Sequence, residues 1–124
     1  MKKLEVGVCE GRHEMPCKNF MFGQEIDQKW LENPTWLEAL ASSRFWRLLQ
    51  DANLITWHQV PSEDYYYADD CVGRADEVEL EIYVTGLTIA VFAIVNAAKA
   101  WGFEKITLMH YNRESGQYYP QEVR

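Results

Sequence analysis

The sequence predicts a single α/β domain, a small sandwich built around a βαβ unit, and three observations predict it. Val78, Leu80, Ile82 and Val84 alternate with Glu79, Glu81, Tyr83 and Thr85, a period of two that belongs to a strand with one face buried. The apolar run from Ile89 to Trp101 follows as a helix, closed by Gly102 where a C-cap glycine belongs. Ile106, Leu108 and His110 then alternate with Thr107, Met109 and Tyr111 as another strand. A strand (residues 78–85), a helix (88–101) and a strand (105–111) joined by short connectors form a right-handed crossover with parallel strands.

The remaining elements fit around that unit. Leu4, Val6 and Val8 alternate with Glu5, Gly7 and Cys9 and predict a first strand. Residues 10–24 carry Gly11, Pro16 and Gly23, so they read as a long loop in which Phe20, Met21 and Phe22 must still pack. Asn33-Pro34 supplies an N-cap and a proline at the first helical position, and Leu37, Leu40, Ala41, Leu48 and Leu49 continue as the apolar stripe of a helix over 34–50. Its aromatics Trp36, Phe45 and Trp46 read as core or interface. Residues 51–76 are weakly patterned; Val60-Pro61 stops structure, and Tyr65-Tyr66-Tyr67 reads as an edge strand or a pocket lid. Thr88 is the expected N-cap of the second helix, which is apolar almost all round and so calls for cover on more than one side. Asn112 to Gly116 is a turn, and Gln117-Tyr118-Tyr119 runs back as a C-terminal hairpin that ends before Pro120. The economical assembly is a small Rossmannoid sandwich with an antiparallel edge.

Composition narrows the function classes. The chain has 124 residues, 48% hydrophobic and 25% charged, which suits one globular domain and excludes a disordered chain. Its longest strongly apolar run, Ile89 to Ala98, is half the roughly 20 residues a bilayer span needs, so no membrane crossing is expected. Met1-Lys2-Lys3-Leu4-Glu5 has no secretory apolar stretch, and a cytoplasmic address is expected. Cys9, Cys17 and Cys71 are odd in number and spread out, which predicts reduced thiols. Cys9, His13 and Cys17 stand at four-residue intervals, but a structural zinc site takes four ligands and usually starts with a close Cys pair, so neither metal nor cofactor is expected. The formal net charge is −7, and residues 25–81 hold 13 acids against four bases. Without a basic face, duplex DNA is not an expected partner. The acidic stretch 62–81 reads as a solvated face, or as a surface that mimics nucleic-acid phosphates toward a basic protein partner.

In open parallel sheets, ligands sit beyond the carboxyl ends of the strands, where helix N-termini point free amides. Glu10, Gly11, Arg12, His13 and Glu14 follow the first strand, Thr85, Gly86, Leu87 and Thr88 the central one, and His110, Asn112 and Arg113 the third. If the first strand is parallel to its neighbour, two Arg, two His and two Thr hydroxyls gather on an otherwise acidic molecule. That chemistry suits an anion or a phosphodiester. Each residue also has a purely structural reading: a tight turn for Gly86, a helix cap for Thr88, a surface position for His13, a core histidine for His110 and a solvated turn for Arg113.

The run Tyr83-Val84-Thr85-Gly86-Leu87-Thr88 resembles the strand–turn–helix of CRISPR-associated Rossmann-fold domains and the small ring nucleases related to them. The resemblance spans residues 78–111, with an N-terminal strand and polar loop in a comparable place. It implies a cyclic oligoadenylate ligand, a homodimer and, in some relatives, cleavage without metal. Carried over, Thr85, Gly86 and Thr88 would hold a phosphate, with Arg12, His13 or Arg113 where such enzymes keep charged residues. Cleavage would proceed by attack of a ribose 2′-hydroxyl on phosphorus, with His13 or His110 as base or acid and Arg12 or Arg113 offsetting phosphoryl charge. The chain departs from the pattern in its long loop and its acidic insert 62–77. Two other readings stay open: an acidic protein–protein inhibitor from a phage or mobile element that occupies a partner's nucleic-acid site, for which five Trp and seven Tyr are suitable, and an assembly subunit without catalysis.

Overall fold

The alternation near the N-terminus forms β1 (Lys2–Cys9), and its register with β5 (Val78–Tyr83) sets Leu4 against Leu80 and Val6 against Ile82 in parallel. The structure is a computed structural model that describes residues 2–10, 15–23, 26, 28–60 and 70–124. Between β1 and β5 come β2 (Phe20–Phe22), the short α1 (Gln28–Leu31), α2 (Pro34–Asp51), β3 (Thr56–Val60) and β4 (Asp70–Arg74). After β5 follow α3 (Thr88–Trp101), β6 (Lys105–Asn112) and β7 (Gln117–Glu122). The main sheet has the order β2-β1-β5-β6-β7, parallel except for the β6–β7 hairpin, while β3 and β4 make a separate antiparallel ribbon. This is a mixed sheet with helices, the α/β class the sequence predicts, and β1 does run parallel to β5.

The crossovers from β2 through α2 to β5 and from β5 through α3 to β6 step the same way along the sheet, so right-handed connections carry both helices to one face. The two helices pack on each other there. Leu4, Val6, Val8, Val78, Leu80, Ile82 and Ile106 point into that layer and meet Phe45, Leu49, Ile94 and Phe103, all fully buried apart from a sliver of Leu4. Phe45 and Phe103 pack ring to ring at 5.2 Å. The opposite face is polar: Lys3 Nζ lies 2.8 Å from Glu81 Oε1, with Glu5, Glu79 and Thr107 on the same side. At its far end Met15 and Phe20 close directly over Gly7, where an added Cβ would meet them at 2.9 and 2.8 Å. Only glycine leaves room for that approach.

Asn33 caps α2, its Oδ1 accepting from the Trp36 amide at 3.2 Å, and Pro34 takes the first turn as expected. Gly102 ends α3 at φ 79°, the left-handed conformation a side chain resists. Several expectations need correction. β5 stops at Tyr83, leaving Val84 and Thr85 outside the strand. Residues 10–24 are not loop throughout, because β2 pairs Phe20 with Gly7. Residues 56–60 and 70–74 pair as a ribbon despite their weak pattern, because Trp57, Ile55 and Gly73 pack together. β7 runs through Pro120, which an edge strand tolerates since its outer side needs no donor. α3 does have the cover on more than one side that its apolar surface calls for, from α2 and from the sheet, although Phe92 stays 65% exposed; on α2 Trp36 and Trp46 are exposed while Phe45 is core. Tyr65-Tyr66-Tyr67 lie outside the described residues.

Tyr83 is buried at the carboxyl end of β5 with its hydroxyl 3.3 Å from Glu81 Oε2. Burial first, then the charge of Glu81, pushes its phenol up to about 12. An unfolded tyrosine ionises near 10, so the neutral phenol's contribution is complete below pH ~10 and is lost as pH rises through the folded value. Urea midpoints are therefore expected to fall between pH 10 and 12, and more steeply in the native protein than in Tyr83→Phe.

Candidate functional site

The β5–α3 connection and the β6–β7 hairpin build one cleft at the carboxyl ends of the parallel strands. The β5–α3 connection brings Val84, Thr85 and Gly86, the end of β6 brings His110 and Tyr111, the hairpin turn brings Arg113, and β7 brings Tyr119. The cleft measures about 560 Å³, within the range of small-molecule sites. None of these described lining residues is a carboxylate, on a chain whose net charge is −7.

Local chemistry fixes each wall. Asn112 Oδ1 accepts from the amides of Glu114 at 2.9 Å and Ser115 at 3.3 Å, an Asx turn that shapes the hairpin and sets Arg113 at its start. Neither ion pair among the described residues involves Arg113. The register places His110 opposite Tyr119, and their rings stack at 5.3 Å and 29°. His110 Nε2 lies 2.7 Å from Gln121 Oε1; with an amide oxygen as partner the ring nitrogen is the donor, which leaves Nδ1 as the acceptor of the neutral ring.

Thr85 is 7% exposed, and its hydroxyl oxygen is buried with no hydrogen-bond partner among the described residues. A buried orphan hydroxyl costs on the order of 1–3 kcal/mol, so it calls for an explanation. The start of α3 is open in the same way. Its N-cap is Leu87, which gives no side-chain cap, and its first turn holds no acidic residue. The amides there keep their donor capacity.

Four of the expected site residues, Thr85, Gly86, His110 and Arg113, thus line one cleft. Thr88 does not cap α3; it follows the N-cap and lines a separate depression with Pro34, Ile89 and Phe92 between the two long helices. The shift arises because the loop after β5 turns into the helix one residue earlier than a Thr cap would. Arg12 and His13 lie outside the described residues. Tyr119 and Tyr111 were not singled out as site residues from sequence, although counting back from the turn at 112–116 puts Tyr119 opposite His110. Cys9 and Cys17 are buried free thiols and Cys71 is an exposed one. Among the described residues no three His, Cys, Asp or Glu cluster for a metal, and His13 of the Cys9, His13, Cys17 set lies outside them.

The acidic stretch 62–81 is described only from residue 70 onward. Within that part the acids are dispersed. Asp76 pairs with His58 at 2.8 Å, Glu77 accepts from Thr56, and Glu79 and Glu81 lie on the polar sheet face. No helix among the described residues is long and apolar enough to cross a membrane. No protein-family model, no curated protein and no solved structure matches the chain.

Proposed function

We propose that this protein binds a nucleotide-type phosphodiester, of the kind found in cyclic oligoadenylates, in the cleft beside the β5–α3 connection. The observation that carries the reading is the buried Thr85 hydroxyl, without a partner among the described residues, in a cleft that Arg113 lines and to which the described residues bring no carboxylate. A phosphoryl group in the cleft would give the Thr85 hydroxyl an acceptor, and the guanidinium of Arg113 would offset its charge. In a cleavage reaction His110 would act through Nδ1, because Nε2 is held by Gln121: it would take the proton of a ribose 2′-hydroxyl as that oxygen bonds to phosphorus, the bond from phosphorus to the 5′-oxygen would break to leave a 2′,3′-cyclic phosphate, and the departing 5′-oxygen would take a proton from water.

The test is nucleotide-dependent thermal stabilisation, since a ligand that binds only the native state raises its melting temperature. A cyclic oligoadenylate is expected to raise Tm. Arg113→Ala is expected to weaken binding by about 10-fold or more, the scale of one charge-assisted hydrogen bond, with the melting temperature of the free protein unchanged. Chromatography of the same mixtures separates binding from cleavage. No shift with any cyclic or linear nucleotide removes the reading.

The exposed pair Trp46 and Trp57, in edge contact at 6.1 Å, favours a second reading as a protein–protein inhibitor, because aromatic side chains are enriched at interfaces. Under it, charge reversal of Asp69, Asp70, Glu77 and Glu79 to Lys abolishes binding to a partner with a basic nucleic-acid site.

A further inference from the structure

We infer that Tyr119, backed by His110, is the seat of a nucleobase, so that the cleft selects a base-bearing phosphate over a bare sugar phosphate. The inference rests on the phosphate-binding reading above and adds the part of the ligand that gives selectivity. Tyr119 lines the cleft with about half its surface exposed, 52%, far more than a tyrosine needs to keep its hydroxyl wet. One ring contact, the stack on His110, is the only one it makes among the described residues. An aromatic ring held by another and left open to a cleft is a stacking platform, and any base has a face to lay on it.

The platform is stiff, which matters because an ordered ring loses little freedom when a ligand stacks on it. His110 and Tyr119 sit on paired strands, and Gln121 Oε1 pins the imidazole at 2.7 Å. Pro120 follows Tyr119 and holds it in extended backbone. The neighbouring pair, Tyr111 and Tyr118, packs at 5.3 Å on the opposite face of the same hairpin and braces it from behind. Phosphate donors and base platform thus share one cleft of about 560 Å³, the scale of a single nucleotide unit. A purine, with the larger face, is the preferred base.

Titration calorimetry with AMP and with ribose 5-phosphate tests this on the native protein, Tyr119→Leu and Tyr119→Phe. The native protein is expected to bind AMP at least about 10-fold more tightly than ribose 5-phosphate, the scale of one stacked base. Tyr119→Leu is expected to erase that preference while leaving ribose 5-phosphate affinity unchanged, and Tyr119→Phe to keep it. Equal affinity for the two ligands in the native protein, or a preference that survives in Tyr119→Leu, overturns the base seat while phosphate binding stands. Failure of both ligands to bind overturns the phosphate reading as well.

Discussion

Thr85→Val is expected to raise the melting temperature of the free protein while removing the stabilisation a phosphate-bearing ligand confers. The hydroxyl of Thr85 is buried with no partner among the described residues, so the unliganded fold carries its desolvation cost. Replacing it by a methyl group of similar size removes that cost, on the order of 1 kcal/mol or more, or about 4 °C in a chain of this length. With ligand at a hundred times its Kd, the native protein gains roughly 2.7 kcal/mol, and the valine variant should lose most of it. Opposed signs of this kind are expected where a site keeps a polar group unsatisfied until its ligand arrives. Thr85→Ser, which keeps the donor, is expected to bind like the native protein. If Thr85→Val is less stable than the native chain, or responds to ligand equally well, the hydroxyl has no role in binding.

Phe45→Ala is expected to have the largest effect on stability, a loss of about 3–5 kcal/mol in urea unfolding. Phe45 is fully inaccessible on the inner side of α2, and its ring packs on Phe103 at the end of the α3 crossover. Truncation leaves a void among α2, α3 and the sheet that neighbouring backbones cannot collapse to fill. Because small domains have only about 5–15 kcal/mol in total, the variant should lose a large share of the stability of the fold. A loss below about 1 kcal/mol would mean that α2 does not pack on the sheet as described.

Much of this fold was legible because its core strands obey a strict period of two. Leu4, Val6 and Val8, then Val78, Leu80 and Ile82, announce both the strands and the buried face, and the Asn33-Pro34 and Gly102 signals bound the two long helices. What stayed hidden depends on tertiary contact. β2 is three residues long and exists because Gly7 admits Phe20. The β3–β4 ribbon is fastened from outside its own sequence, by Arg74 Nη1 on the Ala100 carbonyl and by His58 on Asp76. Pro120 looked like the end of a strand because sequence does not reveal which side of β7 is an edge.

The site divides along the same line. Thr85, Gly86, His110 and Arg113 could be named from their places at strand ends, since a parallel sheet gathers such residues at one rim. The role of Thr88 depended on a single residue of helix register, and the helix begins after Leu87 instead. The aromatic wall emerges only once the hairpin register sets Tyr119 against His110.

Amide chemical shifts of isotope-labelled protein titrated with AMP test most directly whether a phosphate-bearing ligand docks in the cleft beside the β5–α3 connection. Saturable shifts concentrated at Thr85, Gly86, His110 and Tyr119, together with the Arg113 side chain, are expected. Shifts centred on α2 or the β3–β4 ribbon, or none at saturating ligand, would contradict it.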